Sequence, residues 1–392
     1  MRRLPPSHAR SRAVGTSVRR LLCAVVAGSA CLALALPASA ARSGPDPVGG
    51  QLLAAPGIVA SLVPGIKPPP AVKASSYVIG DLDTGEILAA KNAHGRFAPA
   101  STLKTLTALT FIPRLRPSFG IQATFADAAV DGTKVGVVPG QWYSADSLFK
   151  AMLMMSANDA AMTVATSRQS LPAALGLMNA EAGRLQAYDT VARTPNGLDA
   201  RGQTSSAYDL ALISRAALAI PAFRTYVATK RSLFPAPHRK HYEIYTHDHL
   251  LLNYPGAFGV KNGYTVAAQA SFVGAATRHG HRLIVALMHG EPELWKDAAH
   301  LLDWGFQADG VVTPVGQFVD PVPPATSAAA PPPATKTAAL DRHPAKRLHL
   351  PLTPMAAGAG VVVAFGALRL RSRRRYRQRG GGSRSKFSLP PI

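Results

Sequence analysis

Segments that do not suit a globular core occupy both ends of this 392-residue chain. Residues 41–73 are rich in Pro and Gly, and residues 310–349 form a linker that becomes rich in Pro and Ala from residue 321. Such composition favours extended polyproline conformation over a packed core. The remaining residues, 74–309, have the length of one ordinary domain. We therefore expect a single globular domain over 74–309, preceded by a poorly ordered segment and followed by a stalk.

The N-terminal residues 1–40 have the pattern of a secretory signal peptide. An Arg-rich start is followed by an apolar stretch at 21–36 and by Ala-Ser-Ala at 38–40. This pattern predicts export and cleavage after residue 40, with an uncleaved anchor helix as the alternative. Both cysteines, Cys23 and Cys31, lie in this segment. The mature chain would therefore have neither a disulfide nor thiol chemistry.

Near the C-terminus, residues 350–368 form an apolar stretch of sufficient length to span a bilayer. The basic tail, residues 369–392, begins with seven arginines between 369 and 379. By the positive-inside rule this tail is cytoplasmic and the domain faces outward. We expect an enzyme-sized domain held on the outer side of the cytoplasmic membrane. An apolar linker that ends in an arginine-rich tail is the alternative interpretation.

The net charge of +22 would suggest a nucleic-acid partner if it were spread over the domain. Most of the excess instead lies at the ends. Residues 1–40 contain six Arg and no acidic residue, and residues 341–392 contain twelve Lys or Arg against one Asp. The central region is only mildly basic, so we expect no nucleic-acid partner.

Hydrophobic periodicity and turn residues predict an α+β domain. Two strands are expected on either side of the turn at residues 83–85, and two more are expected around residues 278–281. Helices are expected between these pairs and after the second one, at 101–111, 145–155, 158–167, 206–218 and 291–303. Strands near both ends of the domain favour a single antiparallel sheet in which the terminal segments meet.

The pattern Ser101-Thr102-Leu103-Lys104 lies at the start of a predicted helix. Residues 101 and 104 then share a helix face one turn apart, so the lysine amine is within reach of the serine hydroxyl. A serine needs an adjacent base to act as a nucleophile, and a lysine with a lowered pKa can be that base. The N–H groups at a helix N-terminus can also stabilise an oxyanion.

Ser-x-x-Lys alone is a weak signal, because it occurs at Ser101, Ser147 and Ser383. Ser383 lies in the basic tail, and Ser147 lies inside an amphipathic helix. Two further motifs favour Ser101: Ser156-Ala157-Asn158 at a break between predicted helices, and Lys261-Asn262-Gly263 before the second strand pair. Their order is that of the serine enzymes that react with penicillin.

With these motifs the chain resembles the D-alanyl-D-alanine carboxypeptidases among the low-molecular-mass penicillin-binding proteins. The resemblance covers about residues 74–307 and includes further segments: Ala98–Ser101, Pro195–Ala200, Ser205–Asp209, Leu250–Gly256, Arg282–Val285 and Leu301–Gly305. It implies a β-lactamase/DD-peptidase-like fold, in which helices flank an antiparallel sheet and form a helical subdomain. It also implies a hydrolase that acts on peptidoglycan stem peptides ending in D-Ala-D-Ala, is inhibited by β-lactams and uses neither a cofactor nor a metal.

The resemblance implies catalytic roles for residues of the first two motifs. Ser101 would attack the carbonyl between the terminal D-alanines and form an acyl-enzyme. Lys104 would accept the serine proton, and Ser156 would relay a proton to the leaving D-alanine. Asn158 would hold both the substrate amide and Lys104. Water would then release the shortened peptide, in a step that limits cross-linking donors during cell wall biogenesis.

The resemblance also implies substrate-binding roles around the third motif. Lys261 would supply positive charge to the proton relay and to the substrate carboxylate. The backbone N–H groups of Ser101 and Tyr264 would form the oxyanion hole. Arg282 is a candidate second contact for the terminal carboxylate.

The third motif departs from the family at its middle position, where the usual residue is Thr. Here Asn262 lies between Lys261 and Gly263, and all three are assigned to substrate binding. An amide can donate a hydrogen bond, but its reach and shape differ from those of a hydroxyl. A membrane-tethered binder of penicillin or peptidoglycan that has lost turnover is therefore a second hypothesis.

Two other enzyme classes are weaker alternatives. A class A β-lactamase shares the motif order, but its deacylating loop precedes the third motif, whereas Glu291-Pro292-Glu293-Leu294 follows it. A zinc peptidase would need a metal site built from His238, His241, His247 and His249. These residues lack the helical His-Glu-x-x-His pattern, so a solvated loop and strand is the better interpretation.

Overall fold

The computed structural model describes residues 47–238 and 240–323. The predicted signal peptide (1–40), transmembrane helix (350–368) and basic tail (369–392) lie outside these residues, as does the linker from residue 324 onward. Within the described ranges, no single helix is both long and apolar enough to cross a bilayer. One sharply bent helix pair, Ala207–Leu218 with Pro221–Ala228, meets the length and composition criteria jointly.

The described part of the chain contains eleven strands: β1 (Ile58–Ala60), β2 (Ser76–Asp81), β3 (Glu86–Lys91), β4 (Gly120–Gln122), β5 (Trp142–Ser144), β6 (Arg231–Pro235), β7 (His241–Tyr245), β8 (Ala257–Thr265), β9 (Gln269–Arg278), β10 (His281–Gly290) and β11 (Gly316–Gln317). The central sheet is antiparallel and has the order β1-β3-β2-β10-β9-β8, with β11 also paired to β3. Strands β4 with β5 and β6 with β7 form two small separate sheets.

Over the same residues there are nine α-helices: α1 (Lys104–Phe111), α2 (Phe125–Ala128), α3 (Ala145–Met154), α4 (Asn158–Thr166), α5 (Leu171–Arg184), α6 (Ala207–Leu218), α7 (Pro221–Ala228), α8 (His249–Asn253) and α9 (Leu294–Ala308). Short 3-10 helices span Gln51–Ala54, Ala100–Leu103 and Ile112–Arg114. The α+β class and the antiparallel sheet flanked by helices are as the sequence predicts.

Strands β9 and β10 are buried on both faces along most of their length. Their sequences are therefore nearly continuous apolar runs, without the alternation of apolar and polar residues that a half-buried strand shows. The turn between them places His279 at φ 51° and Gly280 at φ 88°, both in the left-handed region. Two consecutive positive φ angles match the twist of an antiparallel hairpin.

Helices cover both faces of the sheet. On one face α9 packs against β9 and β10, and Gly305 approaches β2 so closely that a Cβ there would lie 2.5 Å from Cδ1 of Ile79. On the other face α6 packs against β2 and β10 and supports α1. Ser206 caps α6 by accepting a hydrogen bond from the backbone N–H of Asp209, which is the helix start that the sequence predicts.

The structure differs from the predicted domain limits at both ends. The Pro/Gly-rich segment is ordered from residue 47, because β1 pairs with β3 and Leu53 is buried. These contacts satisfy backbone groups that an uncovered β3 edge would leave unpaired. At the other end, β11 pairs with β3, and Val312, Val315 and Phe318 are buried. The segment 310–320 therefore belongs to the domain and not to the linker.

Candidate active site

The candidate nucleophile Ser101 lies in the 3-10 turn that precedes α1. The preceding residue, Ala100, has φ 48°, an uncommon conformation for a residue with a side chain. The carbonyl of Pro99 accepts hydrogen bonds from the hydroxyls of Thr102 (2.5 Å) and Ser271 (2.6 Å). These two bonds connect the turn to its own helix and to β9, and they fix the position of Ser101.

Lys104 is fully buried, and three oxygen atoms surround its Nζ. These are Oγ of Ser101 at 2.8 Å, Oδ1 of Asn158 at 2.7 Å and the backbone carbonyl of Asn196 at 2.6 Å. The amide and carbonyl oxygens can only accept. A neutral amine has two N–H bonds and one lone pair, so donation to these two acceptors directs the lone pair at the Ser101 hydroxyl.

The second motif lies where α3 ends and α4 begins. Ser156 is nearly buried and has φ 66°, so the chain turns sharply there. Two residues later, Nδ2 of Asn158 donates to the carbonyl of Asp131 at 2.7 Å, which orients Oδ1 toward Lys104. The Asp159 carboxylate accepts hydrogen bonds from the backbone N–H groups of residues 135–137, which anchors the start of α4.

The third motif lies on β8, the edge strand of the sheet. Lys261 is buried, and its Nζ donates to the backbone carbonyl (2.7 Å) and to Oδ1 (3.2 Å) of Asn262. A Cβ at Gly263 would lie 2.5 Å from the backbone nitrogen of Ser101. Only glycine allows β8 to approach the nucleophile this closely. The structure therefore brings the first and third motifs into contact.

Burial lowers the pKa of both lysines, and nearby charges modify the shift at each. Burial, together with the positive charge of Lys261, lowers the pKa of Lys104 well below its ordinary value, and Asp159 acts in the opposite direction. Burial lowers the pKa of Lys261 to about 7, and Asp248 opposes this shift. At Lys104 both burial and the charge of Lys261 favour the neutral amine, which is the form that a proton acceptor requires.

The two remaining predicted binding residues differ in their position: Tyr264 is at the site and Arg282 is not. Tyr264 follows Gly263 on β8, and its side chain is exposed. Arg282 is not at the site: its guanidinium pairs with the carboxylate of Asp83. It opposes Thr277 on β9, six residues from Ser271, which corresponds to about 20 Å along the strand. The prediction that Arg282 contacts the substrate carboxylate is wrong, because the hairpin turn at Asp83 binds this side chain.

Three groups at the site lie outside the three motifs. They are the Asn196 carbonyl on Lys104, the Ser271 hydroxyl on Pro99 and the buried Asp248 carboxylate near Lys261. Asp248 caps α8 through Oδ1, while its buried Oδ2 has no hydrogen-bond partner in the described part of the chain. The Pro-Asn-Gly turn at 195–197 is the one sequence signal that could have indicated the first of these.

Residues 65–291 match the family model described as D-alanyl-D-alanine carboxypeptidase, and this match covers more than half of the chain. The chain belongs to the D-alanyl-D-alanine carboxypeptidase family. It is therefore an enzyme of the serine-type, penicillin-binding class that the three motifs predict.

Members of this carboxypeptidase family from several bacteria are similar to the chain. DacB2 of Mycobacterium tuberculosis is 41% identical over 249 residues, which are 62% of this chain and 85% of the relative. DacA of Escherichia coli K12 is 29% identical over 272 residues, 66% of each protein. A crystal structure of a D-alanyl-D-alanine carboxypeptidase from M. tuberculosis aligns with a TM-score of 0.63 at 39% identity, over 66% of this chain and 99% of that one.

The family assignment favours a carboxypeptidase over the two other enzyme classes. The stretch Glu291–Leu294, which resembles a β-lactamase loop, is the lead into α9. In the described residues, two groups of His and acidic side chains lie close enough to share a metal ion: Asp81 with His281 and Asp309, and His94 with Asp189 and Asp209. Neither includes a histidine of the proposed zinc site.

Proposed function

We propose that this enzyme removes the terminal D-alanine from peptidoglycan stem peptides through an acyl-enzyme on Ser101. One observation carries the proposal: the buried Lys104 amine lies 2.8 Å from the Ser101 hydroxyl, and none of its three oxygen neighbours is a carboxylate. An amine without a carboxylate partner in a buried site loses its proton readily. It is then a base aligned with the nucleophile.

Acylation follows from this geometry. Lys104 takes the Ser101 proton as Oγ attacks the carbonyl between the two D-alanines. The backbone N–H groups of Ser101 and Tyr264 stabilise the oxyanion, since Gly263 holds β8 against the nucleophile turn. Ser156 then passes a proton to the nitrogen of the leaving D-alanine.

Deacylation uses the same groups with water as the nucleophile. Lys104 accepts a proton from water, which attacks the ester carbonyl, and the proton returns to Ser101 as the ester C–O bond breaks. The shortened peptide leaves with a new carboxylate. β-Lactams inhibit the enzyme because they acylate the same hydroxyl.

The third motif binds the substrate carboxylate through Lys261 and Asn262. Since Oδ1 of Asn262 accepts from Lys261, its Nδ2 is directed away from the lysine. This amide supplies a donor in place of the hydroxyl of the usual Thr. The departure at Asn262 thus preserves a donor for the carboxylate. The contact between the Lys104 amine and the Ser101 hydroxyl is what favours turnover over the hypothesis of a binder without activity.

D-Alanine release from a Lys-D-Ala-D-Ala peptide tests the proposed chemistry. Wild-type protein should release D-alanine and bind penicillin covalently, and Ser101→Ala should do neither. Equal release by Ser101→Ala would exclude this nucleophile. Penicillin labelling without release would support the binder, and rapid hydrolysis of nitrocefin would support a β-lactamase.

We also propose that the enzyme acts outside the cytoplasmic membrane, with residues 1–40 removed on export and residues 350–368 as an anchor. The Arg-rich segment after the apolar stretch supports this orientation. Protease added to intact spheroplasts should cut within residues 41–349 and leave the tail 369–392 protected. Protection of the domain with cleavage of the tail would reverse the orientation.

A further inference from the structure

A cavity away from the candidate active site combines an apolar lining with three arginines. Its volume is about 330 Å³, and its apolar lining includes Leu82, Leu185, Leu212, Leu218 and Phe258. Arg215, Arg224 and Arg282 also line it. None of the residues proposed for catalysis lies in this cavity. We call it the arginine cavity.

Protein contacts fix the three guanidinium groups. Arg215 donates from Nε to the carbonyl of Leu82 at 3.0 Å, and Arg224 donates to the carbonyl of Leu218 at 2.6 Å. Bonds to neutral carbonyls hold an arginine in place without cancelling its charge. Arg282 is paired with Asp83.

The arginine cavity therefore has an excess of positive charge. Over the described residues, Asp83 is the only carboxylate in a salt bridge with any of its three arginines. The charge of Asp83 also acts on Arg215, and that of Asp81 acts on Arg282, so two carboxylates offset part of the three positive charges. Arg215 and Arg224 also retain N–H groups that no hydrogen bond within the described chain uses. A guanidinium matches the geometry of a carboxylate or phosphate, so these donors favour an anionic group.

We propose that the arginine cavity binds an amphiphile with one carboxylate or phosphate head and an alkyl body. The volume is at the lower end of the range for small-molecule sites, which are mostly apolar with a few polar groups that fix orientation. Inorganic phosphate would leave the apolar lining unused, and a neutral alkyl chain would leave the arginines unpaired.

Within the described residues, the chain next to the cavity does not pair with these arginines. Asp320 lies between the lining residues Val319 and Pro321, but its side chain is exposed, and Asp83 is the carboxylate that forms a salt bridge at the cavity. In this proposal the ligand is another molecule, either a free alkyl acid or phosphate, or an anionic phospholipid whose head enters the cavity.

Photolabelling of the full chain in membranes tests this site. The probe is dodecyl phosphate with a diazirine in its alkyl chain, and labelled peptides are located by mass spectrometry. Labels should fall on the segments 210–224 and 319–323. Excess dodecyl phosphate should reduce labelling at least tenfold, while dodecanol and inorganic phosphate should not.

Variants separate the cavity from general attraction to a basic protein. Arg215→Gln should reduce labelling at least tenfold through loss of charge, and Ala219→Trp should do so by filling the cavity from its exposed rim. Arg116→Gln changes an exposed arginine elsewhere and should label as wild type. D-Alanine release should be unchanged in all three, which shows that each is folded.

Two results would overturn the proposal: equal labelling of Ala219→Trp and wild type, or equal competition by dodecanol and dodecyl phosphate. Competition by vesicles of phosphatidylglycerol would support the site and identify its ligand as a membrane lipid. Competition by dodecyl phosphate alone would support the site with a free amphiphile as its ligand.

Discussion

Two of the three Ser-x-x-Lys patterns, those at Ser101 and Ser147, lie in the described domain. They have the same spacing and opposite surroundings. At the first, Lys104 is fully buried and contacts Ser101 together with two neutral oxygens. At the second, Lys150 is partly exposed and forms an ion pair with Asp146 at 2.7 Å. Ser147 is occupied locally, because its hydroxyl donates to the carbonyl of Ser144 at 2.9 Å.

The difference shows that spacing brings an amine near a hydroxyl but does not make it a base. Lys150 has a carboxylate partner and access to water, and both stabilise its charge. Lys104 has neither, and the positive Lys261 lies nearby. The four predictions below test which of these differences matter for the reaction.

Removal of the amine should have the largest effect. Lys104→Met should lower kcat/KM for D-alanine release by about a thousandfold, since general base catalysis contributes about 10²–10⁴. Lys150→Met, the matched change at the second pattern, should stay within about twofold of wild type, because it removes only a surface ion pair. Steady-state kinetics measure both, and similar losses in the two variants would refute the assignment of the base.

Displacement of Ser101, the proposed nucleophile, should have the next largest effect. In Gly263→Ala the new Cβ would lie 2.5 Å from the Ser101 nitrogen, so β8 and the turn must separate. A shift of about 1 Å can cost about a hundredfold in rate. The penicillin acylation rate reports this loss directly.

Gly176→Ala is the control for this change. Gly176 lies within α5 and has open space around its Cα, so alanine should leave acylation unchanged and increase helix stability by up to about 1 kcal/mol. Normal acylation by Gly263→Ala would show that the close approach of β8 is not needed.

A carboxylate at position 158 would make Lys104 resemble Lys150. In Asn158→Asp the new charge would be about as close to Lys104 as Asp146 is to Lys150. It would raise the Lys104 pKa, so the base would remain protonated to higher pH. Each unit of increase costs about tenfold in activity below the new pKa.

The pH profile of kcat/KM should therefore show its acid limb displaced to higher pH, with recovery of activity in alkaline solution. Asn253→Asp adds the same charge on α8 and should leave the profile in place. A uniform loss at all pH values would indicate a structural effect instead.

The smallest effect should come from Asp248. Asp248→Asn keeps an oxygen that can cap α8 but removes the negative charge that opposes the lowering of the Lys261 pKa to about 7. Lys261 would then lose its proton at lower pH. The alkaline limb of kcat/KM should move to lower pH, with an about threefold loss on that limb and little change at pH 6.

Asp320→Asn, at an exposed position, is the charge-matched control. An alkaline limb that does not move in Asp248→Asn would show that the buried carboxylate does not influence Lys261.

Local patterns in the sequence predicted most helices and the two main hairpins, because caps, turns and periodicity are local properties. Ser206 as the cap of α6 is one example. The proximity of the first and third motifs could not be derived from spacing. It depends on the register of β8 against β9 and on the absence of a side chain at Gly263.

The incorrect predictions have a common cause in contacts between distant segments. Arg282 has the charge of a carboxylate-binding residue, but the β2–β10 pairing places it beside Asp83. The composition of residues 47–73 favours disorder, but β1 in this segment pairs with the edge of β3 and is ordered by that contact. The Asn196 carbonyl is a backbone atom, and the sequence indicates only the Pro-Asn-Gly turn that contains it.

The attachment points of the domain follow from the pairing of β1 and β11 with one strand. Both terminal segments of the described domain meet at β3, four strands and about 19 Å from β8 across the sheet. Tension applied through residues 47 and 323 would act on the strand pairing around β3. Strand β8, which carries the third motif, would not bear this load. An enzyme immobilised or fused at either end should therefore keep access to Ser101 and β8.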